Sequence, residues 1–327
     1  MSGSSENVAV VAGAGGFIGG HLVASLLESG APVRAVDIKP LDEWFQVHSE
    51  ASNQVADLRN KSASFDVLDG ADTVYNLAAD MGGMGFIENN KALCMLSVLI
   101  NTHLLMAAER HNLSRYFYAS SACVYAAEHQ LTTEAVPLRE ADAYPAMPED
   151  GYGWEKLFSE RMCRHFLEDF GLETRVARYH NVYGPYGSWE GGREKVPAAL
   201  CRKIGTAALT GNHEIEIWGD GEQTRTFMYI DDCTTGTLKI TASEVSEPLN
   251  LGRAEVVSIN QLADVISDIA GITVTRKNLS AEPQGVRGRS SENTEIRRHL
   301  GWEPSIGLHE GLETTYRWIY DQLVRST

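Results

Sequence analysis

The chain has 327 residues, which is long for a single small core and predicts one large domain together with a smaller one. Its apolar fraction of 43% is ordinary for a globular protein, and no stretch reaches the roughly 18 consecutive apolar residues typical of a membrane helix. The formal net charge of −16 disfavours nucleic acid and anionic lipid as general partners. We therefore expect no nucleic acid and no membrane among its partners, although a local basic pocket can still hold a phosphorylated ligand.

The start of the chain and its cysteines indicate where the protein works. The first residues, MSGSSENVAVVAG, have no basic segment of a secretory signal and lead directly into a strand. Five cysteines are scattered along the sequence without a C-x-x-C pair: Cys94, Cys123, Cys163, Cys201 and Cys233. Such a set favours free thiols in a reducing compartment over a disulfide framework or a zinc site. The expectation is a cytoplasmic protein without a bound metal.

A glycine turn between a strand and a helix is the first motif in chain order. The apolar run VAVVA at 8–12 predicts a strand, and it leads into a turn with Gly13, Gly16 and Gly19 that opens an amphipathic helix. Such a turn brings backbone close to a pyrophosphate, which the N–H groups and positive dipole end of the helix can bind. The next strand, VRAVD, ends in Asp37, at about the distance expected for the acid that binds the ribose diol. Because a carboxylate there repels a 2′-phosphate, the pattern favours NAD over NADP.

The alternation of strands and helices continues through the first half of the chain. QVADLR, DTVYNLAA and RYFYASS are typical of strands, with a helix at about 90–111 before the last of them. This order predicts an α/β fold with a Rossmann-like, doubly wound parallel sheet, whose ligands bind at the carboxyl ends of the strands. Asp57 falls at one such end, where an adenine contact and a turn or helix-capping role are both open.

The sequence pattern becomes irregular and richer in glycine and charge after Gly184. We place an NAD-binding domain at 1–184 and a smaller C-terminal α/β substrate domain at 185–327. The segment 226–250, which contains TFMYIDDCTTGTLKITA, is expected to return to the first domain.

Three polar side chains indicate proton transfer. Tyr152 and Lys156 are four residues apart at the start of a predicted helix, so they share one face. A neighbouring lysine stabilises a phenolate, which predicts a tyrosine pKa lowered from about 10 toward neutrality. Ser121 ends the preceding strand and can bind the same substrate hydroxyl. Y-x-x-x-K alone is common on solvated helix faces, but after a nucleotide-binding half it indicates a Ser/Tyr/Lys set that removes a proton while a hydride passes to nicotinamide.

From end to end the chain resembles the extended short-chain dehydrogenase/reductase family of sugar-nucleotide enzymes, in the strings GAGGFIG, NLAA, SSACVY, YGWEK, RYHNVYGP, WGDGEQTRTF and LGWEP. Four longer strings resemble the NAD-dependent epimerases of that family that act on carbons 3 and 5 of GDP-mannose: NLAADMGGMGFI, FYASSACVY, GGREKVPAALCRK and QGVRGRSSEN. The chain departs from the pattern in lacking a proline after Tyr125, and in having Gly151 where an alanine is expected before Tyr152.

The resemblance implies a role for Cys123, on the turn after the strand that ends in Ser121. Relatives that remove water from a sugar carry an aspartate and a glutamate at the places of Ala122 and Cys123, and this chain has neither. Once NAD has oxidised carbon 4 of the hexose, the protons on carbons 3 and 5 become acidic, and the resemblance implies Cys123 as the base and Lys195 as the opposing acid. A thiol has a pKa of about 8.5 and is well suited as the base, especially if neighbouring cations favour its thiolate. The residues alone leave open that Cys123 is a buried filler and Lys195 an exposed loop lysine.

The resemblance also implies which residues hold the two ligands. For NAD these are Gly13, Gly16, Phe17, Ile18, Gly19, Asp37, Asp57, Leu58, Ala78, Tyr152 and Lys156. For a GDP-sugar substrate they are Met81, Gly82, Gly83, Ser121, Asn181, Glu194, Lys195, Lys203, Gln223, Arg225, Arg287 and Arg289. Arginine suits a diphosphate because its planar fork donates two hydrogen bonds.

Two other functions stay open at this point. One is a different NAD-dependent epimerase or dehydratase of sugar nucleotides, and the other is a non-catalytic dinucleotide-binding regulator, which would have no need of the Ser/Tyr/Lys set. The resemblance further implies a homodimer. The helices near 90–111 and 153–170 would pair across a twofold axis, or their apolar stripes belong to the core.

Overall fold

A computed structural model describes residues 7–279 and 285–326 of the protein. The first six residues, on which the expectation of no signal peptide rests, and Gln284 of the string QGVRGRSSEN lie outside the described residues.

Strands and helices alternate through the first half of the described chain. The strands are β1 Val8–Ala12, β2 Val33–Asp37, β3 Ser52–Val55, β4 Ala71–Asn76, β5 Arg115–Ser121, β6 Pro137–Leu138, β7 Thr174–Tyr179, β8 Asn181–Tyr183, β9 Glu214–Trp218, β10 Thr224–Tyr229, β11 Leu249–Leu251, β12 Val256–Ser258, β13 Thr275–Leu279 and β14 Ser290–Ser291. The helices are α1 Phe17–Glu28, α2 Lys61–Leu68, α3 Met84–Asn89, α4 Lys91–Met95, α5 Val98–Arg110, α6 Tyr152–Phe170, α7 Val196–Thr210, α8 Ile230–Ala242, α9 Ile259–Ala270, α10 Thr294–Leu300 and α11 Leu308–Ser326. Short 3₁₀ turns lie at Leu41–Glu43, Ala122–Val124, Ala127–Gln130 and Glu140–Ala143.

The main sheet of the described residues is parallel, with strand order β11-β7-β5-β4-β1-β2-β3. Strand β1 is an interior strand of this sheet, and its sequence VAVVA is apolar throughout because helices cover both faces of the sheet. The chain runs outward from β1 through β2 to β3 and then crosses back to β4 on the other side. This reversal opens a crevice between the carboxyl ends of β1 and β4, where doubly wound folds bind nucleotides. The predicted fold class is confirmed.

The predicted helix at 90–111 is interrupted in the structure. It is divided into α4 and α5 at Leu96 and Ser97, where the backbone bonds shorten to the i→i−3 type, as in Ser97 N to Cys94 O at 3.2 Å. The Ser97 hydroxyl accepts a hydrogen bond from the Asp80 amide at 3.0 Å, which ties the loop after β4 to this point. By length and composition alone, Lys91–Arg110 is apolar enough to cross a membrane, but its inner face packs in the core of the fold.

The second half of the chain covers the carboxyl ends of the main sheet. Helices α7, α9 and α11 pack on one another through apolar side chains such as Leu200, Leu262 and Leu312. Strands β8, β10 and β12 form a small sheet. Helix α8 packs against α1, and β11 joins the main sheet beside β7, so this part of the second half lies with the first. The boundaries of the two domains stay a prediction.

All five cysteines lie in the described residues, and each is a buried free thiol. The cytoplasmic location stays a prediction.

Candidate active site

A cavity of about 740 Å³ opens at the crevice between β1 and β4. The residues predicted to hold NAD all line it: Gly13, Gly16, Phe17, Ile18, Gly19, Asp37, Asp57, Leu58, Ala78, Tyr152 and Lys156. They come from the ends of several strands and from the start of α1 and α6, which the fold brings together along this edge of the sheet.

The glycine turn forms the floor of this cavity. Gly13 has a φ of +88°, which disfavours any other residue, and a Cβ on Gly19 would lie 2.1 Å from the Gly13 carbonyl oxygen. Gly16 precedes α1 without a side-chain cap, so the first N–H groups of α1 are available to an anion. A backbone cradle of this shape at a helix N-terminus fits the pyrophosphate of NAD.

Two carboxylates lie further along the same cavity. Asp37 ends β2 and is 8% exposed, and its two oxygens accept hydrogen bonds from the amides of Gly15 and Lys39, both at 3.0 Å. This anchoring fixes the carboxylate at the cavity wall, where it fits a ribose diol. Asp57 follows β3 in a loop and binds the Arg59 guanidinium at 2.8 Å, which lowers the pKa of Asp57.

A second cavity of about 300 Å³ continues from the first. The two cavities share a wall, which consists of Met81, Gly82, Ser121, Tyr152, Tyr179, His180, Lys195 and Pro197. The predicted substrate residues that line the second cavity are Met81, Gly82, Gly83, Ser121, Asn181, Glu194, Lys195, Lys203, Gln223, Arg225 and Arg289, and the predicted base Cys123 lines it too. The shared wall therefore carries Ser121, Tyr152 and Lys195, while Cys123 lines the second cavity alone.

Tyr152 and Ser121 meet at the shared wall. Tyr152 begins α6, is 5% exposed, and hydrogen-bonds the Ser121 hydroxyl. The Lys156 ammonium lies 5.4 Å from the centre of the Tyr152 ring and donates to the Ala119 carbonyl at 3.1 Å. The prediction that the tyrosine pKa is lowered toward neutrality is wrong for this structure. Burial raises the pKa of Tyr152 well above its usual value, so the residue is a neutral phenol in this structure.

Cys123 lies in the 3₁₀ turn directly after β5. Its amide donates to the Ser121 hydroxyl at 3.2 Å and its carbonyl accepts from the Glu149 amide at 3.0 Å. The Arg289 guanidinium is 3.7 Å from its sulfur, so the expected neighbouring cation is present. The thiol is nevertheless not activated, because burial and the nearby Glu149 carboxylate raise the pKa of Cys123 to about 11. The expectation of a favoured thiolate is wrong for this structure.

Lys195 immediately precedes α7 and lines both cavities. It is partly buried, unlike an exposed loop lysine, and desolvation lowers the pKa of its ammonium. A lysine whose pKa is lowered exchanges a proton more readily near neutral pH.

Two loops are joined across the mouth of the site. The Gly83 amide donates to the Arg193 carbonyl at 3.1 Å, and a Cβ on Gly83 would lie 2.7 Å from the Glu194 carbonyl. The Arg193 guanidinium stacks on the Phe86 ring at 4.0 Å. The Glu194 carboxylate binds Arg202 at 3.0 Å. These contacts hold the segment that carries Lys195 over the shared wall.

The remaining predicted substrate residues differ in their placement. Gln223 donates to the Trp218 carbonyl at 3.0 Å, while its buried side-chain oxygen has no hydrogen-bond partner among the described residues. Burial and nearby Arg289 lower the pKa of Arg225 to about 9. Arg287 is not among the described residues that line either cavity, and its guanidinium binds the exposed Asp220 at 3.0 Å. The structure thus separates Arg287 from Arg289, two residues away in the chain.

Sequence reasoning missed several residues that line the second cavity, among them Glu149, His180 and Trp218. Glu149 is three residues before Tyr152, so an acidic residue beside the Y-x-x-x-K pattern was the available signal. His180 lies inside RYHNVYGP, and its Nε2 is 3.3 Å from the Asn250 side-chain oxygen. Burial lowers the pKa of His180 to about 3, so its imidazole is neutral.

Comparison with known proteins identifies the family of this chain. The NAD dependent epimerase/dehydratase family matches residues 9–252. GDP-mannose 3,5-epimerase of Arabidopsis thaliana is 44% identical over 321 residues, which cover 98% of this chain and 84% of the relative. GDP-mannose 3,5-epimerase 1 of Oryza sativa subsp. japonica is 45% identical over 314 residues, which cover 96% of this chain and 82% of the relative.

A solved structure shows the same fold. UDP-glucose 4-epimerase of Thermotoga maritima superposes with a TM-score of 0.87 at 24% identity, covering 97% of this chain and 99% of that one. Together with the glycine cradle, the anchored Asp37 and the Ser/Tyr/Lys set, these matches establish the family. The chain belongs to the NAD-dependent epimerase/dehydratase family, as an NAD-dependent epimerase of nucleotide sugars.

Proposed function

We propose that the protein is a GDP-mannose 3,5-epimerase. The observation that carries this proposal is the pairing of Cys123 and Lys195 around one cavity, next to the Tyr152 and Ser121 hydroxyls. A thiol and an amine on one sugar site supply a proton acceptor and a proton donor for the carbons beside a ketone. The two plant relatives named GDP-mannose 3,5-epimerase, at 44% and 45% identity, support the same reaction.

The proposed reaction has two proton transfers, one at the carbon 4 hydroxyl and one at carbons 3 and 5. Bound NAD supplies reversible oxidation of carbon 4, taking up a hydride and returning it at the end of the cycle. The Tyr152 hydroxyl, with Ser121 beside it, exchanges the proton of the carbon 4 hydroxyl. Cys123 and Lys195 then remove and return the protons of carbons 3 and 5, which the neighbouring ketone has made acidic.

NAD-loaded protein is expected to convert GDP-mannose without added cofactor, because each cycle regenerates the oxidised form. Separation of the sugar products should reveal GDP-L-galactose, with GDP-L-gulose as a second product. Removal of NAD should abolish conversion, and its return should restore it. Unchanged GDP-mannose together with conversion of a UDP-sugar would favour a different epimerase or dehydratase of the same family.

We also propose a homodimer formed through α4, α5 and α6. Neighbouring helices expose large apolar side chains there, at Met95, Leu96, Leu99, Trp154 and Phe158. A second copy that covers this face would remove it from water, and a twofold axis is the usual symmetry for such self-association. The expected particle mass in solution is twice the chain mass of 35.9 kDa. A particle of single-chain mass in analytical ultracentrifugation at micromolar concentration would contradict the proposal.

A further inference from the structure

Arg289 is held at the second cavity from three directions. Its Nε donates to the Gln130 side-chain oxygen at 2.6 Å, one terminal nitrogen binds the Glu149 carboxylate, and the other lies 3.7 Å from the Cys123 sulfur. Arg289 is 7% exposed, and the side chain of Glu149 is 13% exposed. One buried cation therefore serves both an acid side chain and the predicted catalytic thiol.

The backbone holds Glu149 beside the same thiol. The Glu149 amide donates to the Cys123 carbonyl at 3.0 Å. A Cβ on Gly153 would lie 2.3 Å from that carbonyl and 3.2 Å from the Glu149 Cβ, so the loop and the first turn of α6 fit closely here. The Glu149 carboxylate is also near enough to the Cys123 thiol to raise the pKa of that thiol.

Charge balance explains what this arrangement does. An ionised Glu149 already neutralises Arg289, and the buried pair is close to neutral. A thiolate at Cys123 would then add a second anion against one cation, which burial disfavours. If Glu149 carried no charge, the same guanidinium would be available to stabilise the thiolate.

We propose that Glu149 is a positioning residue of the proton-transfer site, which occupies Arg289 and thereby keeps Cys123 protonated in the enzyme without substrate. In this state the thiol of Cys123 is a proton donor, and it becomes a base once its proton has passed to an unprotonated Lys195 amine at the same cavity, which leaves a thiolate and an ammonium. The proposal rests on the proposed function for the catalytic role of Cys123, whereas the ionisation that it describes is a property of the protein alone.

Other charged and titratable groups also face this thiol. They are Lys195 before α7, Arg225 in β10 and Tyr152 in α6. The two cations favour a thiolate and Tyr152, as a phenol, is neutral, so Glu149 is the acidic group whose contact opposes ionisation. A substitution of Glu149 is therefore the direct way to expose its effect.

The test measures alkylation of Cys123 by iodoacetamide in NAD-loaded protein without sugar, followed by peptide mass spectrometry. Only the thiolate reacts, displacing iodide, so the rate follows the thiolate fraction. Glu149→Gln keeps the shape and removes the charge. At a pH below the pKa of the Cys123 thiol, each unit by which Glu149→Gln lowers that pKa should raise the alkylation rate about tenfold. The matched control is Asp150→Asn, which removes the adjacent exposed carboxylate that binds Lys91 and should leave the rate unchanged.

Glu149→Asp separates charge from access. This variant keeps the carboxylate, so Cys123 should react at close to the original rate. Alkylation of Glu149→Gln at the original rate, or of Glu149→Asp as fast as Glu149→Gln, would overturn the proposal. In Glu149→Gln, the pH profile of deuterium exchange into the sugar should also move to lower pH. A shifted alkylation profile in a protein that does not turn over GDP-mannose would refute the proposed function and leave this inference standing.

Discussion

Cys123→Ala is expected to lower deuterium uptake from heavy water into carbons 3 and 5 of GDP-mannose by about 10²–10⁴-fold, the usual loss when a positioned acid or base is removed. Oxidation at carbon 4 should survive, because Tyr152, Ser121 and Lys156 are untouched. Reduced cofactor should therefore accumulate when the sugar is added, and it can be followed by its absorbance. Mass spectrometry of the recovered sugar measures the exchange.

The fold should tolerate this change. Cys123 packs with Ile87, Cys94 and Tyr152, and removing one small buried group costs about 1 kcal/mol, well below the total stability of a typical domain. Cys94→Ala is a matched control. Cys94 is a fully buried thiol of the same cluster, and it lines neither cavity. Normal exchange in Cys123→Ala would show that Cys123 is a packing residue.

Tyr152→Phe is expected to lower both carbon 4 oxidation and deuterium exchange, each by about 10²–10⁴-fold. The ring stays in place, but the hydroxyl that meets Ser121 at the shared wall is lost. Without the ketone, the protons on carbons 3 and 5 are no longer acidic. Exchange therefore falls even though Cys123 and Lys195 are intact. Single-turnover absorbance of the reduced cofactor and sugar mass spectrometry give the two readings.

Tyr75→Phe serves as the control for this substitution. Tyr75 is a buried tyrosine of β4 that lines neither cavity, so both signals should persist. Tyr152→Phe protein that still exchanges deuterium at the original rate would mean that carbon 3 and carbon 5 protons leave without prior oxidation. That result would show that the two proton transfers are independent of each other.

The fold was largely predictable because the apolar runs, the glycine turn and the alternation of strands and helices all predict a doubly wound parallel sheet. VAVVA and RYFYASS match β1 and β5 in both bounds, since buried parallel strands are short apolar runs with clear ends. The break at Leu96 and Ser97 was not predictable from helical periodicity. At the break, Ser97 accepts a hydrogen bond from the Asp80 amide in the loop after β4, a contact between distant parts of the chain that periodicity does not describe.

The placement of the site was predictable, but its proton affinities were not. Glycine spacing and strand ends indicated the lining of the first cavity, because parallel strands bring their carboxyl ends to one edge. The pKa directions of Cys123 and Tyr152 came out opposite to the expectation. Both pKa values are raised by burial, and the pKa of Cys123 is raised also by the Glu149 carboxylate from another loop. Burial and contacts between loops cannot be predicted from the local sequence.

Neighbours in sequence also need not share a role. Arg287 and Arg289 were predicted together from one string, yet the first pairs with Asp220 outside the lining and the second reaches the Cys123 sulfur. Residues two apart in a regular strand point to the same side, but Arg287 lies in a bend just before the isolated bridge at Gly288, so this segment is not a regular strand. Only the fold tells which side faces the cavity.

The wall shared by the two cavities has a consequence for how the proposed reaction is completed. Tyr152 and Lys195 both lie on it, so one sugar ring can meet both proton-transfer systems without moving between separate compartments. In the proposed reaction, a half-processed keto sugar would escape only if the nucleotide attached to it also left the site. The fraction of cycles that abort is then set by the residence time of the nucleotide relative to re-reduction, and residues far from the reacting carbons control how faithfully each cycle ends.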